Sequence, residues 1–358
     1  MSTSTVPNAT SRIKLKKKMP FIIAVVLILT FLLGFAAPAS AAPVCEIVDT
    51  DGSTVLQQYT DLADALDDVS DGQTIRLLAD IDYNSNILVD GISVTFDVTG
   101  YVLNVTSAQG HTLKVEMFGE VNLIGGGTGE FNVICQDLLG NGVFVSNGKA
   151  TVTSVTSSGF GVYVIGLGSA VTVSGGVMSA RSGITTELDS VVSVGGDVLS
   201  GGSNSITAGN SSSVTVGGSV TGGISSTYSA TVNVGGDVSN SGGSHGVYTD
   251  TGATVTVGGN VVGNVTGVRA IGDSFIDVDG DVTGNVVGVQ VKDSIVNVGG
   301  DVTSNTVGVQ ADNSTVNVGG DVISDTIGIQ ADDESEVTVD GVITVPVDTI
   351  YIEINGSY

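Results

Sequence analysis

A seven-residue pattern that recurs about every 20 residues constrains the fold of this chain more than any other feature. Residues 296–302 read Val-Asn-Val-Gly-Gly-Asp-Val, and successive copies of this tract lie 18 to 23 residues apart. A period of this length is typical of solenoids, in which each repeat buries its apolar face against its neighbours. The other copies span residues 171–177, 192–198, 214–220, 232–238, 255–261, 276–282 and 316–322, with a degenerate last copy at 337–342.

Most periods also contain a Gly-Val or Gly-Ile motif, as at Gly288 and Gly308. One coil therefore holds a V-x-V strand, a Gly-Gly corner, a short D-V strand, a polar corner and a G-V-x-A strand. Alternation along each strand places the valines inside, where stacked coils bury them. The pattern predicts an all-β parallel β-helix over residues 73–358, with regular repeats from about 171 to 342.

A short amphipathic segment precedes the repeats. The residues before it read as two strands joined by an Asp-Gly turn, and residues 74–80 read as the strand that follows it. We therefore predict an N-terminal cap over residues 42–72, made of strands and one helix. The helix prediction rests on a capping threonine, apolar residues at helical spacing and a closing glycine: Thr60, Leu62, Leu66, Val69 and Gly72.

Three stretches of the chain resemble a known group of proteins. Residues 59–66 (YTDLADAL), 71–78 (DGQTIRLL) and 92–103 (ISVTFDVTGYVL) are similar to the capping helix, first strand and following coil of pectate-lyase-like β-helix proteins. These are right-handed parallel β-helices found among microbial cell-surface and secreted repeat proteins. The resemblance covers essentially the whole chain after the leader and implies a right-handed coil. It implies little about activity, because the group includes lyases, hydrolases, adhesins and proteins of unknown role.

The N-terminal residues have the organisation of an export signal. Five basic residues precede an apolar run at 21–35, and small residues at 36–41 follow it. This order predicts a signal peptide over residues 1–41, cleaved after Ala41, and a secreted or extracellular protein. The apolar run is short for a membrane span, so membrane contact is expected only through the leader before cleavage. The alternative is an uncleaved N-terminal anchor.

The charge balance excludes one class of partner. The chain has 37 acidic and 11 basic residues, a net charge of −26, and loss of the five leader bases leaves six bases and a net charge of −31. Nucleic-acid binding needs clustered Lys and Arg, so we expect no nucleic-acid partner. Such a surface attracts divalent cations instead.

Stacking would align the acidic residues of successive coils in two rows, one after the Gly-Gly corner and one before the V-x-V strand. Carboxylates about 5 Å apart repel one another, and bound Ca²⁺ would relieve the repulsion. In the alternative interpretation the side chains cap N–H groups of the turns, salt screens the repulsion, and no cofactor is required. The predicted metal ligands are Asp197, Asp237, Asp281, Asp301 and Asp321 in the first row, and Asp273, Asp293 and Asp312, followed by Asp332, in the second.

A polar row that faces outward follows the Gly-Val motif, beginning at Tyr248. Side chains of this kind can hydrogen-bond a polysaccharide or another cell-surface component, and the alternative is the ordinary exposed face of a half-buried sheet. The predicted ligand-binding residues are Arg269, Gln290, Gln310 and Gln330.

No motif points to an enzyme, and we predict no catalytic residues. Arg269, with acidic residues such as Asp250 and Asp273 nearby, is the best catalytic candidate, but a lone Arg among acids is more often part of an ion pair. His111 and His245 lie far apart in the repeat count and have no Cys or His neighbours to complete a zinc site. The nearly constant repeat length also leaves little chain to build the walls of a cleft.

Two cysteines, Cys45 and Cys135, remain after the leader is removed. An oxidising compartment permits a disulfide between them, which would close a loop of about 90 residues. Two buried free thiols are the alternative, because spacing alone does not bring two Cα atoms within reach of one another.

These features favour an exported, non-catalytic β-solenoid that serves as a cell-surface or extracellular adhesive or scaffold protein. It requires no cofactor, and Ca²⁺ would stiffen it if the acidic rows bind the ion. The alternative is a carbohydrate-active module that binds polysaccharide or acts as a polyuronate lyase or glycoside hydrolase. Residues 345–355 read as a last strand without a lid after it. An open sheet end of this kind predicts end-to-end self-association through the C-terminal coil.

Overall fold

Three strands recur in every coil, and each pairs in parallel with the equivalent strand of the next coil. The computed structural model describes residues 41–355. The predicted leader, up to residue 40, lies outside the described residues. Within them, no helix is long and apolar enough to cross a bilayer.

The first column of strands belongs to a 15-stranded sheet. Two of these strands, β1 (Cys45–Val48) and β2 (Val55–Tyr59), belong to the cap, and the remaining 13 each belong to one coil. The parallel strands of this column are β3 (Thr74–Leu77), β6 (Ser93–Asp97), β9 (Glu120–Ile124), β12 (Lys149–Val152), β15 (Ala170–Val173), β18 (Val191–Val194), β20 (Ser213–Val216), β22 (Thr231–Val234), β25 (Thr254–Val257), β28 (Phe275–Val278), β31 (Ile295–Val298), β34 (Thr315–Val318) and β37 (Glu336–Val339).

The second column contains the short strands that follow the Gly-Gly corner. It shares a 24-stranded sheet with the third column, because two longer strands, β19 (Val198–Ala208) and β21 (Val220–Thr227), contribute to both. The second column consists of β4 (Ile81–Tyr83), β7 (Val102–Ser107), β10 (Glu130–Cys135), β13 (Ser154–Ser157), β16 (Val177–Ser179), β19 (Val198–Ala208), β21 (Val220–Thr227), β23 (Val238–Asn240), β26 (Val261–Gly263), β29 (Val282–Gly284), β32 (Val302–Ser304), β35 (Val322–Ser324) and β38 (Ile343–Thr344).

The third column contains the strands of the Gly-Val motif, and its outward side chains form the candidate site described below. Besides the ends of β19 and β21, it consists of β5 (Ile87–Asp90), β8 (Leu113–Glu116), β11 (Asn141–Ser146), β14 (Phe160–Ile165), β17 (Ile184–Glu187), β24 (His245–Asp250), β27 (Thr266–Ile271), β30 (Val287–Lys292), β33 (Val307–Asp312), β36 (Ile327–Asp332) and β39 (Ile350–Asn355). The predicted parallel β-helix with coils of about 20 residues is confirmed.

A hairpin and one short helix cover the first coil. Strands β1 (Cys45–Val48) and β2 (Val55–Tyr59) pair antiparallel, and β1 also pairs antiparallel with β3. The helix α1 (Leu62–Asp68) follows and buries Leu62 and Ala65. Its N-cap is Asp61, whose side chain accepts the Ala63 N–H, and not Thr60 as the sequence predicts. Both residue types cap helices well, so the pattern locates the helix start only to within one residue.

The core is a continuous stack of valine, isoleucine and alanine side chains. In one regular coil, Val296, Val298, Val302, Val309 and Ala311 are all at most 2% exposed. Each buried valine contributes on the order of 2 kcal/mol relative to an exposed one. The glycine of the Gly-Val motif permits this packing, since a Cβ on it would overlap a valine of the next coil.

Packing loosens at the C-terminal coil. Ile352 and Ile354 of β39 are 54% and 64% exposed, although Ile329, the partner of Ile352 in the preceding coil, is 4% exposed. Val337 and Val339 of β37 are only partly buried. The last coil of the described chain therefore exposes apolar side chains that earlier coils bury.

Candidate functional site

The residues after the Gly-Gly corner stack in register and form a hydrogen-bonded ladder, which we call the corner row. Asp281 Oδ1 accepts the backbone N–H of Asp301 at 2.8 Å, and Asp301 Oδ1 accepts that of Asp321 at 2.7 Å. One oxygen of each of these carboxylates therefore caps a backbone N–H of the next coil. The row comprises Asp197, Ser219, Asp237, Asn260, Asp281, Asp301 and Asp321, and its side-chain to backbone contacts continue through the serine and the asparagine.

The glycine that precedes each corner-row residue makes room for this contact. A Cβ on Gly300 would overlap Asp281 Oδ1, and a Cβ on Gly320 would overlap Asp301 Oδ1. The Gly-Gly-Asp order is therefore a packing requirement of the ladder.

The second acidic set separates into two rows. Asp273 and Asp293 share a corner with Asn313, all three at positive φ, and Asn313 Nδ2 donates to Asp293 Oδ1 at 2.8 Å. Asp312 instead aligns with Asp332. The prediction that Asp312 and Asp332 continue the row of Asp273 and Asp293 is wrong by one residue. In its coil, Asn313 is the residue at positive φ that aligns with Asp293.

Among residues 41–355, no three His, Cys, Asp or Glu side chains are grouped so that they could hold a metal ion. Calcium binding at the predicted ligands therefore remains a prediction.

The polar row of the third column, here called the outer row, lies in register as the sequence predicts. Its members Tyr248, Arg269, Gln290, Gln310 and Gln330 pair successively across β24, β27, β30, β33 and β36. Gln290 Nε2 donates to Gln310 Oε1 at 2.8 Å, and Gln310 Nε2 donates to Gln330 Oε1 at 3.3 Å. The amides thus bind one another along the solenoid axis, which fixes their orientation.

A second row lies two residues further along the same strands and contains Lys292, Asp312 and Asp332. Lys292 Nζ lies 2.5 Å from Asp312 Oδ2. The hydrogen bond and the charge of Asp312 raise the pKa of Lys292.

The outer row and this second row enclose a cavity of about 150 Å³, which we call the furrow. Two buried polar atoms of its lining, Arg269 Nε and Asp332 Oδ1, have no hydrogen-bond partner among the described residues. Buried polar groups are nearly always paired, so an unpaired donor and an unpaired acceptor in its lining make the furrow a candidate binding site. The polar lining consists of Arg269, Gln290, Lys292, Gln310, Asp312 and Asp332.

Arg269 does not form the ion pair expected for it. Within the described part of the chain, the ion pairs involve four other basic residues. The Arg269 guanidinium instead lies over the Tyr248 ring, 5.9 Å from its centroid. An acid-rich protein therefore presents an arginine without a carboxylate partner, positioned by an aromatic ring.

An open groove of about 460 Å³ lies at the other side of Tyr248. His245 lines it and stacks on Tyr248, with ring centroids 5.7 Å apart, and its buried Nδ1 has no hydrogen-bond partner among residues 41–355. Burial and the charge of Arg269 lower the pKa of His245. The sequence interpretation does not include His245 in the site. The available signal is the 23-residue step between Gly236 and Gly259, the longest between repeats, which contains the groove loop at 241–244.

Cys45 in β1 and Cys135 at the end of β10 are both buried free thiols. Of the two alternatives, the structure has the unpaired one. Burial and the neighbouring carboxylates of Asp61 and Glu46 raise the pKa of Cys45 to about 11, so its thiol is protonated at neutral pH.

Comparison with known proteins gives no family for this chain. No protein-family model matches the chain, and no curated protein matches it in sequence. Among solved structures, it is similar to the A-module of the mannuronan C-5 epimerase AlgE6 of Azotobacter vinelandii, at 12% identity. The similarity covers 80% of this chain and 89% of that one, with a TM-score of 0.27. A similarity this low does not bear on activity.

Proposed function

We propose that this chain is an exported, non-catalytic β-solenoid that serves as an extracellular or cell-surface scaffold or adhesive protein. The observation that supports the proposal is the unbroken stacking of 13 coils, with side-chain ladders on more than one face. At the spacing of strands in a sheet, 13 coils extend roughly 60 Å. Ladders that pair each coil with the next favour a stiff rod, which suits a spacer or a display surface.

The experiment is light scattering with size-exclusion chromatography on residues 42–358, after incubation with neutral and acidic polysaccharides. We expect polymer mass to be unchanged. A fall in polymer mass would show an enzyme and would overturn the proposal. A hydrodynamic radius of the protein typical of an unfolded, flexible chain would rule out a rod.

Polysaccharide binding along the outer row is the second candidate. The furrow supports it, because a concave, polar site with unpaired groups lies on a row of fixed amides. Co-elution of the protein with a polysaccharide of unchanged mass is the expected result in the same experiment. We also propose that the chain is a member of the pectate-lyase-like group, because residues 59–66, 71–78 and 92–103 resemble that group.

Two associations complete the proposal. Ca²⁺ would bind to the corner-row oxygens that do not cap a backbone N–H, and millimolar Ca²⁺ should then raise the melting temperature more than Mg²⁺ at equal ionic strength. The exposed apolar residues of β39, such as Ile352 and Ile354, support end-to-end self-association. A particle that stays monomeric at high concentration contradicts the second of these.

A further inference from the structure

We propose that two copies of this chain pair side by side, with parallel axes, through the outward face of the second column. That face carries a row of side chains, here called the neutral row, which stays in register from Thr106 to Thr344. No member of the row is charged, and those that are not apolar are threonine or serine. The apolar members are Ile134, Met178, Leu199, Val262 and Ile323.

The apolar members of the neutral row are largely open to solvent. Met178 is 54% exposed, and Leu199, Val262 and Ile323 are exposed to a similar or slightly smaller extent. At the corner that follows the row, the exposed side chains of Val265 and Val286 widen the apolar surface. Contiguous exposed apolar surface of this kind is typical of an interaction site.

The absence of charge on this face favours a second copy of the chain as its partner. The protein has a net charge of −26, so two copies repel one another over most orientations. Outward rows of the other two columns contain charged residues, such as Arg269 in the outer row and Asp277 in the first column. Two copies can therefore approach most closely through the neutral row.

The size of the face predicts a weak pair. At about 4.8 Å for each strand spacing, the neutral row extends roughly 50 Å, and a contact about 10 Å wide buries on the order of 1,000 Å² in total. An interface of this area lies at the lower end of those that hold specific complexes together. We therefore expect association that depends on protein concentration.

The two borders of the neutral row set the orientation of the pair. In the late coils the acidic corner row lies two residues before the neutral row, and Asn285 and Asn305 lie two residues after it. A two-fold axis parallel to the solenoid brings Asp281 of one copy beside Asn285 of the other. The same axis brings Asp301 beside Asn305. An antiparallel pair would instead place the two acidic corner rows together, and their repulsion opposes it.

The test is analytical ultracentrifugation of residues 42–358 over a range of protein and NaCl concentrations. Salt should strengthen pairing, because it screens the repulsion between the two acidic copies. Ile323→Glu should weaken dimerisation about tenfold or more, because a two-fold axis places the new carboxylate in the interface twice. Ile295→Glu is the matched control, since Ile295 is 45% exposed but lies in the first column. It should change dimerisation less than about twofold.

A second pair of variants tests the parallel arrangement. Asn285→Asp combined with Asn305→Asp adds carboxylates to the border that faces the corner row of the other copy, so dimerisation should weaken about tenfold. Asn297→Asp combined with Asn317→Asp makes the same change of charge in an amide ladder of the first column. That control should have an effect several times smaller.

Three outcomes overturn the inference: a monomer at every concentration and salt, equal losses in Ile323→Glu and Ile295→Glu, and equal losses in the two asparagine pairs. Ile352→Glu separates this interface from end-to-end association through β39, which it should weaken without affecting the lateral pair. Self-association that Ile352→Glu abolishes and Ile323→Glu does not would overturn the lateral pair and leave end-to-end association standing. Circular dichroism and thermal melting establish that each variant folds, and Met178→Glu replaces Ile323→Glu if that variant does not.

Discussion

The corner between each third-column strand and the next first-column strand is built differently in the early and late coils. In both regions the corner includes residues at positive φ. In the late coils Asp273, Asp293 and Asn313 occupy it, with φ of 61°, 49° and 47°. Asp and Asn adopt this region at little cost. In the early coils the corner instead includes bulky residues at positive φ: Met117, Phe118, Leu188 and Tyr228.

These bulky residues are also exposed, Phe118 by 81% and Tyr228 by 59%. A left-handed conformation costs an ordinary residue roughly 1–2 kcal/mol. The early corners must therefore be held by packing elsewhere in the coil, whereas in the late corners the local preference agrees with the fold. The comparison teaches that local preference and conformation agree best in the coils around Asp273, Asp293 and Asn313, and that the coils up to Tyr228 tolerate local strain.

The largest expected effect comes from the close contacts of the late coils. Gly300→Ala would place a Cβ over Asp281 Oδ1 and against the backbone of Gly280, so the ladder must break or the coils must separate. Overpacking of this kind costs up to about 3 kcal/mol. Urea unfolding, followed by circular dichroism, measures the loss.

Gly127→Ala is the matched change in an early coil, since a Cβ there meets nothing within 4 Å and its φ is not positive. It should leave the free energy of unfolding nearly unchanged. Equal effects of the two substitutions would show that the contacts around Gly300 contribute nothing specific to stability.

A smaller effect is expected from the corner row. Asp301→Ala removes the oxygen that accepts the Asp321 N–H at 2.7 Å, and should lower the free energy of unfolding by about 1 kcal/mol. Asp301→Asn keeps an acceptor and removes one charge from an acidic row, so it should be neutral or stabilising. If Asp301→Asn destabilises as much as Asp301→Ala in urea unfolding, the carboxylate charge itself matters, as it would with bound Ca²⁺.

Much of this architecture can be predicted from the sequence, because a solenoid repeats its local rules. The V-x-V and Gly-Val tracts predict the columns, and the register of Arg269 with Gln290 follows from the period. The alignment of Asp312 follows from the same period, since 20 residues separate it from Lys292 and from Asp332. The sequence interpretation misses it because Asn313 fills the turn position that Asp occupies in the coils before it. The furrow could not be predicted from the sequence either. It depends on side-chain conformations that leave one atom of Arg269 and one atom of Asp332, three coils apart, without a hydrogen-bond partner.

Exchanging corner residues between the two regions should produce a reciprocal effect of up to about 1 kcal/mol. Tyr228→Asn, at φ of 52°, should stabilise the early coils, and Asn313→Leu, at φ of 47°, should destabilise the late ones. The measurement is the shift of the urea midpoint for each variant. A loss of stability in Tyr228→Asn would mean that the exposed ring makes a contribution that outweighs its strained backbone.

The smallest expected effect is a pH dependence carried by one histidine from each region. Burial lowers the pKa of His111 in the early coils and of His245 in the late ones below the ordinary value of 6.5.

With a lowered pKa, the folded state holds each imidazole neutral, and this stabilisation is fully present above pH 6.5. It is lost as the pH falls from there towards the folded-state pKa, because the unfolded chain then takes up protons that the folded chain does not. Free carboxyl groups remain ionised down to about pH 5. Melting temperatures at pH 7 and pH 5 should therefore differ less in His111→Gln and in His245→Gln than in the wild type, and least in the double variant. A double variant that keeps the wild-type pH dependence would assign it to other titratable groups, such as the carboxylates of the acidic rows.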